Sequence, residues 1–439
     1  MHNSLSRLFL LMVFLFLTSC DGSGGSSSTP TYSVSATVSG LGSYPVILQN
    51  NGGNSLTVSA NGAATFSTAL ANGATYVVTV LTQPSGLTCN VNNGTGTISG
   101  ASVTNITVVC TVNEAKQYAY VANYSDNTIS AFSLNSNSGV MSSISSISTG
   151  TNPVSSAVLP SGRYVYVANY NGNSVNMYSI NNDTGTLTAV GWVATGVNPV
   201  SIAVSPSGAF AYVANFSDNT VSAYSINSST GALTLVGNVT TGTNPNSVVV
   251  SPSGAFVYVA NWSSNIVSVY SINTSTGALT SVTSSSTSGS NPNSVTISPS
   301  GAFAYVPNFN ANTVYVYTIN STTGALTTDS IVAAGTNPVS VAVLPAGTFA
   351  YVVNKGSNTI SVYSINSSTG ALTLKSSIAT GTTPNSVTLS SAGTFAYVAN
   401  FGSNTVSVYS INSTTGALTA VSTGTTGNGP AMTSITTIN

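Results

Sequence analysis

The hexapeptide FAYVAN at residues 395–400 recurs along the chain with small changes, and its recurrence decides the fold. Its tyrosine occupies seven positions at a spacing of 46 or 47 residues: Tyr120, Tyr166, Tyr212, Tyr258, Tyr305, Tyr351 and Tyr397. A fixed period of this length is typical of propellers and other repeat architectures, and it outweighs any local pattern. Residues 117–439 are therefore predicted to form seven equivalent units.

Each unit contains four strand-like segments joined by turn sequences. In residues 198–239 the segments read PVSIAVS, AFAYVAN, TVSAYSI and ALTLVGNV, and short runs such as PSG and FSDN separate them. Four short strands in a unit of this size are typical of one propeller blade. The first copy lacks the PVSIAVS-type segment, whereas GPAMTSITTIN follows the last copy. Residues 432–438 are therefore predicted to pair with residues 118–122 and close the ring, which removes exposed edge strands.

The repeats resemble a known family. The motif reads YVAN in five copies, YVPN and YVVN in the other two, and segments such as NTVSVYSINSTTGALT follow it. It resembles the YVTN-repeat propellers of bacterial and archaeal cell surfaces and the wider lactonase-type family of seven-bladed propellers, which includes a 6-phosphogluconolactonase. The resemblance implies a seven-bladed β-propeller of four-stranded blades over residues 117–439. It also implies a lactone hydrolase as one activity.

Residues 31–113 have a different pattern, in which short apolar runs alternate with Gly- and Asn-containing turns. This pattern predicts an antiparallel β-sandwich, and it is similar to small immunoglobulin-like modules of bacterial surface proteins. The chain as a whole is thus predicted to be all-β. Cys89 and Cys110 are expected to form a disulfide in an oxidising compartment, with two buried free thiols as the alternative. No metal site is expected, because no further Cys or His accompanies them.

The first 30 residues read as a targeting segment. Arg7 precedes an apolar run from Leu8 to Leu17, so residues 1–19 are predicted to be a signal peptide. The sequence Leu-Thr-Ser-Cys ending at Cys20 matches a bacterial lipobox, which predicts a lipid on Cys20; a plain secreted protein is the alternative. Residues 20–30 have the composition of a flexible tether. The predicted location is the bacterial cell envelope, anchored to the outer membrane or cell surface, or to the periplasmic side of the inner membrane.

One repeated position is a candidate binding residue. The residue that follows the motif asparagine is aromatic in six of seven copies: Tyr124, Tyr170, Phe216, Trp262, Phe309, Lys355 and Phe401. Propeller geometry places this loop on the same face as the TGTNP loops, together with Asp126 and Asp218. Such a ring either stacks on neighbouring loops or binds sugars, apolar ligands or another protein. The Tyr-Val pair of the motif is predicted to be core, and the N-x-x-x-N loop is predicted to form a turn.

The amino-acid composition of the chain disfavours most kinds of catalytic and binding site. Only 3% of residues are charged, so no basic surface for nucleic acid exists, and the single histidine, His2, lies in the leader. A serine nucleophile would lack a nearby base, so no catalytic residue, metal or cofactor is predicted. The expected function is a lipid-anchored, non-catalytic interaction or structural platform for an envelope protein or glycan. The alternatives are a lactonase-type hydrolase resembling 6-phosphogluconolactonase and a self-assembling surface-coat component.

Overall fold

A computed structural model describes residues 29–84, 86–112, 116–286 and 290–438. The predicted signal peptide and Cys20 lie outside these residues. The chain divides into two compact units after Asn113. Both units are built from β-strands, which confirms the all-β prediction. The described ranges contain no helix with the length and apolar character needed to cross a bilayer.

Residues 29–84 and 86–112 form the N-terminal unit. Its strands are β1 (Thr31–Tyr32), β2 (Val34–Ser39), β3 (Val46–Asn50), β4 (Asn54–Val58), β5 (Gly62–Thr65), β6 (Leu70–Ala71), β7 (Thr75–Thr82), β8 (Leu87–Asn92), β9 (Thr95–Thr97) and β10 (Val103–Val112). Two four-stranded sheets, in the orders β5-β2-β10-β8 and β4-β3-β7-β9, share one apolar core. Cys89 on β8 pairs with Cys110 on β10 and forms a disulfide, as predicted. The immunoglobulin-like character of the unit stays a prediction.

Residues 116–286 and 290–438 form seven four-stranded sheets. Their strands are β11 (Lys116–Asn123), β12 (Thr128–Leu134), β13 (Met141–Ser148), β14 (Pro153–Val158), β15 (Tyr164–Asn169), β16 (Ser174–Ile180), β17 (Leu187–Ala194), β18 (Pro199–Val204), β19 (Phe210–Asn215), β20 (Thr220–Ile226), β21 (Leu233–Thr240), β22 (Pro245–Val250), β23 (Phe256–Asn261), β24 (Ile266–Ile272), β25 (Leu279–Ser286), β26 (Thr296–Ile297), β27 (Phe303–Asn308), β28 (Thr313–Ile319), β29 (Leu326–Ala333), β30 (Pro338–Val343), β31 (Phe349–Asn354), β32 (Thr359–Ile365), β33 (Leu372–Ala379), β34 (Pro384–Leu389), β35 (Phe395–Asn400), β36 (Thr405–Ile411), β37 (Leu418–Thr425) and β38 (Pro430–Ile438). Blade 1 has the order β38-β11-β12-β13, and blades 2 to 7 are the successive groups of four that begin at β14, β18, β22, β26, β30 and β34. This is the predicted seven-bladed propeller.

The two ends of the propeller segment meet in blade 1. Strand β38 pairs antiparallel with β11, with Tyr118 opposite Thr436 and Ala122 opposite Met432. Strand β38 also contacts β14 of blade 2 and β34 of blade 7. The prediction that the last strand completes the first blade is confirmed. The ring is thus closed by main-chain hydrogen bonds between its first and last strands, which pair the inner edge of β11.

Neighbouring blades are joined by the motif tyrosine. The buried Tyr397 hydroxyl of blade 7 donates a hydrogen bond to the Gly139 carbonyl of blade 1 at 3.1 Å, and Tyr351 bonds Gly416 at the same distance. Gly416 has a φ of +73°, and a Cβ there would lie 2.4 Å from the Phe349 ring of the preceding blade. Glycine therefore meets both a conformational and a packing requirement in this hairpin. The prediction that the motif tyrosine is core is confirmed.

The two motif asparagines have different structural tasks. The second, as at Asn173, adopts a positive φ of 47°, which confirms the predicted turn. Its side-chain oxygen accepts a hydrogen bond from the Asn198 amide at 2.9 Å, so the turn also fixes the linker to the next blade. The first, as at Asn123, is fully buried at the end of a strand and donates to Ser130 at 2.8 Å. It therefore ties two strands together and does not bond its own turn.

A matched pair of tyrosines tests the contribution of the inter-blade hydrogen bond. Tyr397→Phe removes the donor to Gly139 and should lower the free energy of unfolding by about 1–3 kcal/mol, because a buried carbonyl loses its partner. Tyr166 is equally buried, but its hydroxyl has no partner in the described structure. Tyr166→Phe should therefore leave stability unchanged or raise it. Urea denaturation of both variants measures the difference, and equal destabilisation would show that the hydroxyl bond does not hold the blades.

Candidate functional site

One cavity of about 770 Å³ lies where the seven blades converge, and each blade contributes three residues to its wall. We call it the axial cavity. The first set follows the second strand of each blade: Tyr124, Tyr170, Phe216, Trp262, Phe309, Lys355 and Phe401. The second set follows the proline that precedes or opens the first strand: Val154, Val200, Asn246, Asn293, Val339, Asn385 and Ala431. The third set is the next residue along: Ser155, Ser201, Ser247, Ser294, Ser340, Ser386 and Met432.

The backbone on both sides of each aromatic residue is fixed by the linker loops. Tyr170 donates its amide hydrogen to the Asn152 carbonyl at 2.8 Å. Its own carbonyl accepts a hydrogen bond from the Asn198 side chain of the next linker at 3.1 Å. Equivalent amide bonds recur at Phe216, Trp262 and Lys355. The predicted aromatic ring is therefore presented on a rigid loop, on the same face as the linkers, as propeller geometry requires.

The aromatic side chains contact one another across blade boundaries and also line the cavity. The ring centroids of Trp262 and Phe309 are 5.2 Å apart, and those of Tyr124 and Phe401 are 6.0 Å apart. These separations lie in the range of favourable aromatic pairs. All four side chains are half-buried and border the axial cavity. The structure thus combines the two explanations offered by the sequence, packing and a ligand-facing surface; ligand binding by this ring stays a prediction.

Lys355 occupies the one non-aromatic position of the ring. Of the described residues that line the axial cavity, only Lys355 carries a charge. Its Nζ donates to Asn385 Oδ1 at 3.2 Å and lies 5.8 Å from the centroid of the Phe401 ring. It makes no ion pair with a described carboxylate. Because an ammonium has three donors, two N–H groups are available to a ligand. Burial lowers the pKa of Lys355 from its ordinary value.

The two predicted acidic members of this face lie outside the cavity wall. Asp126 accepts hydrogen bonds from the main-chain amide and the side chain of Asn428, at 2.7 and 2.8 Å. These bonds lower the pKa of the Asp126 carboxyl. Asp218 accepts a hydrogen bond from the Val197 amide at 2.6 Å. Both carboxylates therefore cap linker loops, and the structure does not bring them to Lys355.

Sequence reasoning missed the second and third sets of wall residues. Their signal was present, since NPVS, NPNS, TPNS and GPAM recur at the period of the motif tyrosine. Asn385 is the most informative of them, because its amide bridges two blades: Nδ2 donates to the Ala431 carbonyl at 2.9 Å while Oδ1 accepts from Lys355. The hydroxyls of Ser294 and Ser386 are buried and have no partner in the described structure. Buried hydroxyls without a hydrogen-bond partner are uncommon in folded proteins.

The wall offers hydroxyl, amide and ammonium groups. Among the described residues, no cluster of three or more His, Cys, Asp or Glu side chains could hold a metal ion. These groups can donate hydrogen bonds to a carbonyl or carboxylate oxygen. The ammonium adds a positive charge in a partly desolvated setting, where electrostatic interactions are stronger than in water.

A protein-family model described as "Lactonase, 7-bladed beta-propeller" matches residues 110–250, 240–343 and 332–435. A comparison with curated protein sequences finds no significant match.

Solved structures share the fold at low sequence identity. A provisionally assigned 6-phosphogluconolactonase of Bacteroides fragilis is 20% identical with a TM-score of 0.68, covering 74% of this chain and 98% of its own. A counterpart from Bacteroides uniformis gives the same score and identity and is covered over its full length. The periplasmic gluconolactonase of Pseudomonas aeruginosa is 20% identical with a TM-score of 0.64, covering 73% and 99%. At this identity the likeness establishes the fold.

The expectation of a non-catalytic platform is wrong, because the propeller matches the lactonase family model over nearly all of its length. That expectation depended on the scarcity of charged residues and of histidine in the linear sequence. The fold changes the argument, since it collects Lys355, three asparagines and six serines from separate blades into one cavity. Groups that lie one repeat apart in sequence become neighbours on the wall.

The lowered pKa of Lys355 makes a testable prediction about stability. Between the lowered folded value and the ordinary value of 10.5, the native state binds fewer protons than the unfolded state. The free energy of unfolding of the wild type, relative to Lys355→Met, should therefore rise as pH increases toward 10. The buried tyrosines are common to both proteins and cancel in the difference. Urea denaturation at pH 7 and pH 9.5 provides the comparison, and a difference independent of pH would refute the desolvation of Lys355.

Proposed function

This chain belongs to the lactonase family of seven-bladed β-propellers, and on that premise we propose that it is a lactone hydrolase whose reaction takes place in the axial cavity. The observation that supports this proposal most strongly is the position of Lys355. It is a cation without an ion-pair partner among the described residues, in a wall whose other described residues are neutral. The structural neighbours described as a 6-phosphogluconolactonase and a gluconolactonase support the same class of reaction.

Lactone hydrolysis places specific demands on a site. Water adds to the carbonyl carbon, the acyl C–O bond breaks, and the ring oxygen receives a proton, so the product is a hydroxy acid. Negative charge develops on the carbonyl oxygen in the transition state, and fixed donors aimed at that oxygen lower the barrier. The reaction is redox-neutral and consumes only water. A positioned cation and hydrogen-bond donors therefore match its main electrostatic demand.

Lys355 is the residue that we propose to stabilise the developing oxyanion. Asn385 Oδ1 holds one of its N–H groups, which fixes the direction of the other two. The Phe401 ring faces the same ammonium and favours its charged form through a cation–π contact. Burial works in the opposite sense and lowers the pKa of Lys355. Lys355 is thus a partly desolvated donor whose charge interacts more strongly with a ligand than the charge of a solvated surface lysine does.

Substitution of Lys355 tests the assignment. Lys355→Met should lower kcat/KM for glucono-δ-lactone or δ-valerolactone by about 100-fold or more, the effect typical of removing one oxyanion donor. The assay follows acid release with a pH indicator, after subtraction of spontaneous hydrolysis. Lys375→Met is the matched control, since Lys375 is exposed on the outer strand β33, and its kinetics should equal the wild type.

Two results would contradict the proposal. One is a wild-type protein that hydrolyses no lactone faster than buffer does. The other is a Lys355→Met variant, folded by circular dichroism, that retains the wild-type rate.

A further inference from the structure

The wall of the axial cavity is chemically unequal on its two sides. Blades 1 to 3 contribute Ala431, Met432, Val154 and Val200, which we call the apolar arc. Blades 4, 5 and 7 contribute an asparagine at the position where blades 2 and 3 carry valine, and blade 6 contributes Lys355. Blades 4 to 7 form the polar arc. Val339 of blade 6 and Ala431 of blade 1 are each 4% exposed and present little surface to the cavity, so Met432, Val154 and Val200 supply most of the apolar arc.

Most wall serines use their hydroxyls within the wall in both arcs. In the polar arc, Ser247 Oγ accepts from the Val295 amide at 3.4 Å and Ser340 Oγ accepts from the Val387 amide at 3.3 Å. In the apolar arc, Ser155 Oγ accepts from the Ile202 amide at 3.2 Å and donates to Met432 Sδ at 3.3 Å. Ser201 Oγ accepts from the Val248 amide at 3.1 Å. Both hydroxyls are therefore engaged within the wall. The unpartnered hydroxyls, Ser294 and Ser386, belong to the polar arc, and Ser386 is only 8% exposed. Among the described wall residues, the two unpartnered serine hydroxyls and the one charge therefore lie in the polar arc.

A ligand that satisfies this wall must be amphipathic. Its oxygen-rich end belongs beside Lys355, Asn385 and Ser386, and its apolar end beside Met432, Val154 and Val200. A polyhydroxylated sugar lactone carries hydroxyls around its whole ring, so it would place some of them against the apolar arc without partners. Burial of a polar group without a hydrogen bond is unfavourable.

Resting on the proposed lactonase activity, we infer that the preferred substrates are lactones that carry an apolar alkyl or aryl substituent. The lactone carbonyl faces the polar arc, and the substituent packs on the apolar arc. The cavity volume of about 770 Å³ lies within the range of about 300–1,000 Å³ that is typical of ligand sites. The aromatic ring above both arcs adds apolar surface against which such a substituent is desolvated.

Three lactones with the same six-membered ring separate the contributions: δ-valerolactone has no substituent, δ-decalactone carries a pentyl chain, and glucono-δ-lactone carries hydroxyls. The wild type should prefer δ-decalactone to δ-valerolactone by about tenfold or more in kcat/KM, because buried methylenes in an apolar pocket give that degree of discrimination. Glucono-δ-lactone should be the poorest of the three after correction for spontaneous hydrolysis.

Val200→Asn tests the apolar arc most directly, because the chain itself has asparagine at the equivalent position of three other blades. It should reduce the ratio of kcat/KM for δ-decalactone to kcat/KM for δ-valerolactone about tenfold. Val197→Asn is the matched control. Val197 is exposed in the linker that leads to the same strand and lies outside the cavity wall, so this variant should behave as wild type.

The outcomes distinguish two failures. If glucono-δ-lactone is preferred, or if Val200→Asn leaves the ratio of δ-decalactone to δ-valerolactone unchanged, the substrate class is wrong and the lactonase activity stands. If no lactone is hydrolysed, the proposed function is wrong, and calorimetric binding of the two hydroxy acids still tests the wall. 5-Hydroxydecanoate should then bind at least tenfold more tightly than gluconate, and equal or reversed affinities would overturn the inference of an amphipathic ligand.

Discussion

The pairing of β38 with β11 is the constraint on which the rest of the structure depends. Each blade is a separate four-stranded sheet, so without β38 the first blade would have three strands and an unpaired edge at β11, and such edges invite pairing with other chains. Here the last strand becomes the innermost strand of the first blade, so its hydrogen bonds close the ring. The same strand brings Ala431 and Met432 to the axial cavity. The pairing of β38 with β11 therefore completes both the first blade and the wall of the axial cavity.

The architecture could be predicted from the sequence because the same strand pattern recurs in every blade. A strand that is slightly ambiguous in one copy is certain when it recurs seven times, and the complementary ends at residues 118–122 and 432–438 predicted the closure. The ring of Tyr124, Trp262, Lys355 and their equivalents could also be found by aligning the copies. Such an alignment could not show which residues of different blades lie close together in space. Asn385 and Ser386 looked like ordinary polar residues after a proline, and only the convergence of the blades makes them neighbours of Lys355.

The functional expectation was wrong for a related reason. Reading the composition as a whole suggested too few charged groups for catalysis, but a cation in a neutral, partly desolvated cavity interacts more strongly with a ligand than the same cation on a surface does. The proposed function depends on positions where the repeats differ: Lys355 replaces an aromatic residue, Met432 replaces a serine, and asparagine replaces valine in three blades. Positions that are identical in every copy, such as the buried first asparagine, maintain the scaffold.

The structure of the propeller with 5-hydroxydecanoate bound is the most direct test of the claim that the closed ring creates an asymmetric ligand site. The account predicts the carboxylate in the axial cavity at about 2.7–2.9 Å from Lys355 Nζ, the distance of a charge-assisted hydrogen bond. The alkyl chain should lie against Met432 and Val200. A ligand bound outside the cavity, or one whose alkyl chain lies on the polar arc with its carboxylate away from Lys355, would contradict it.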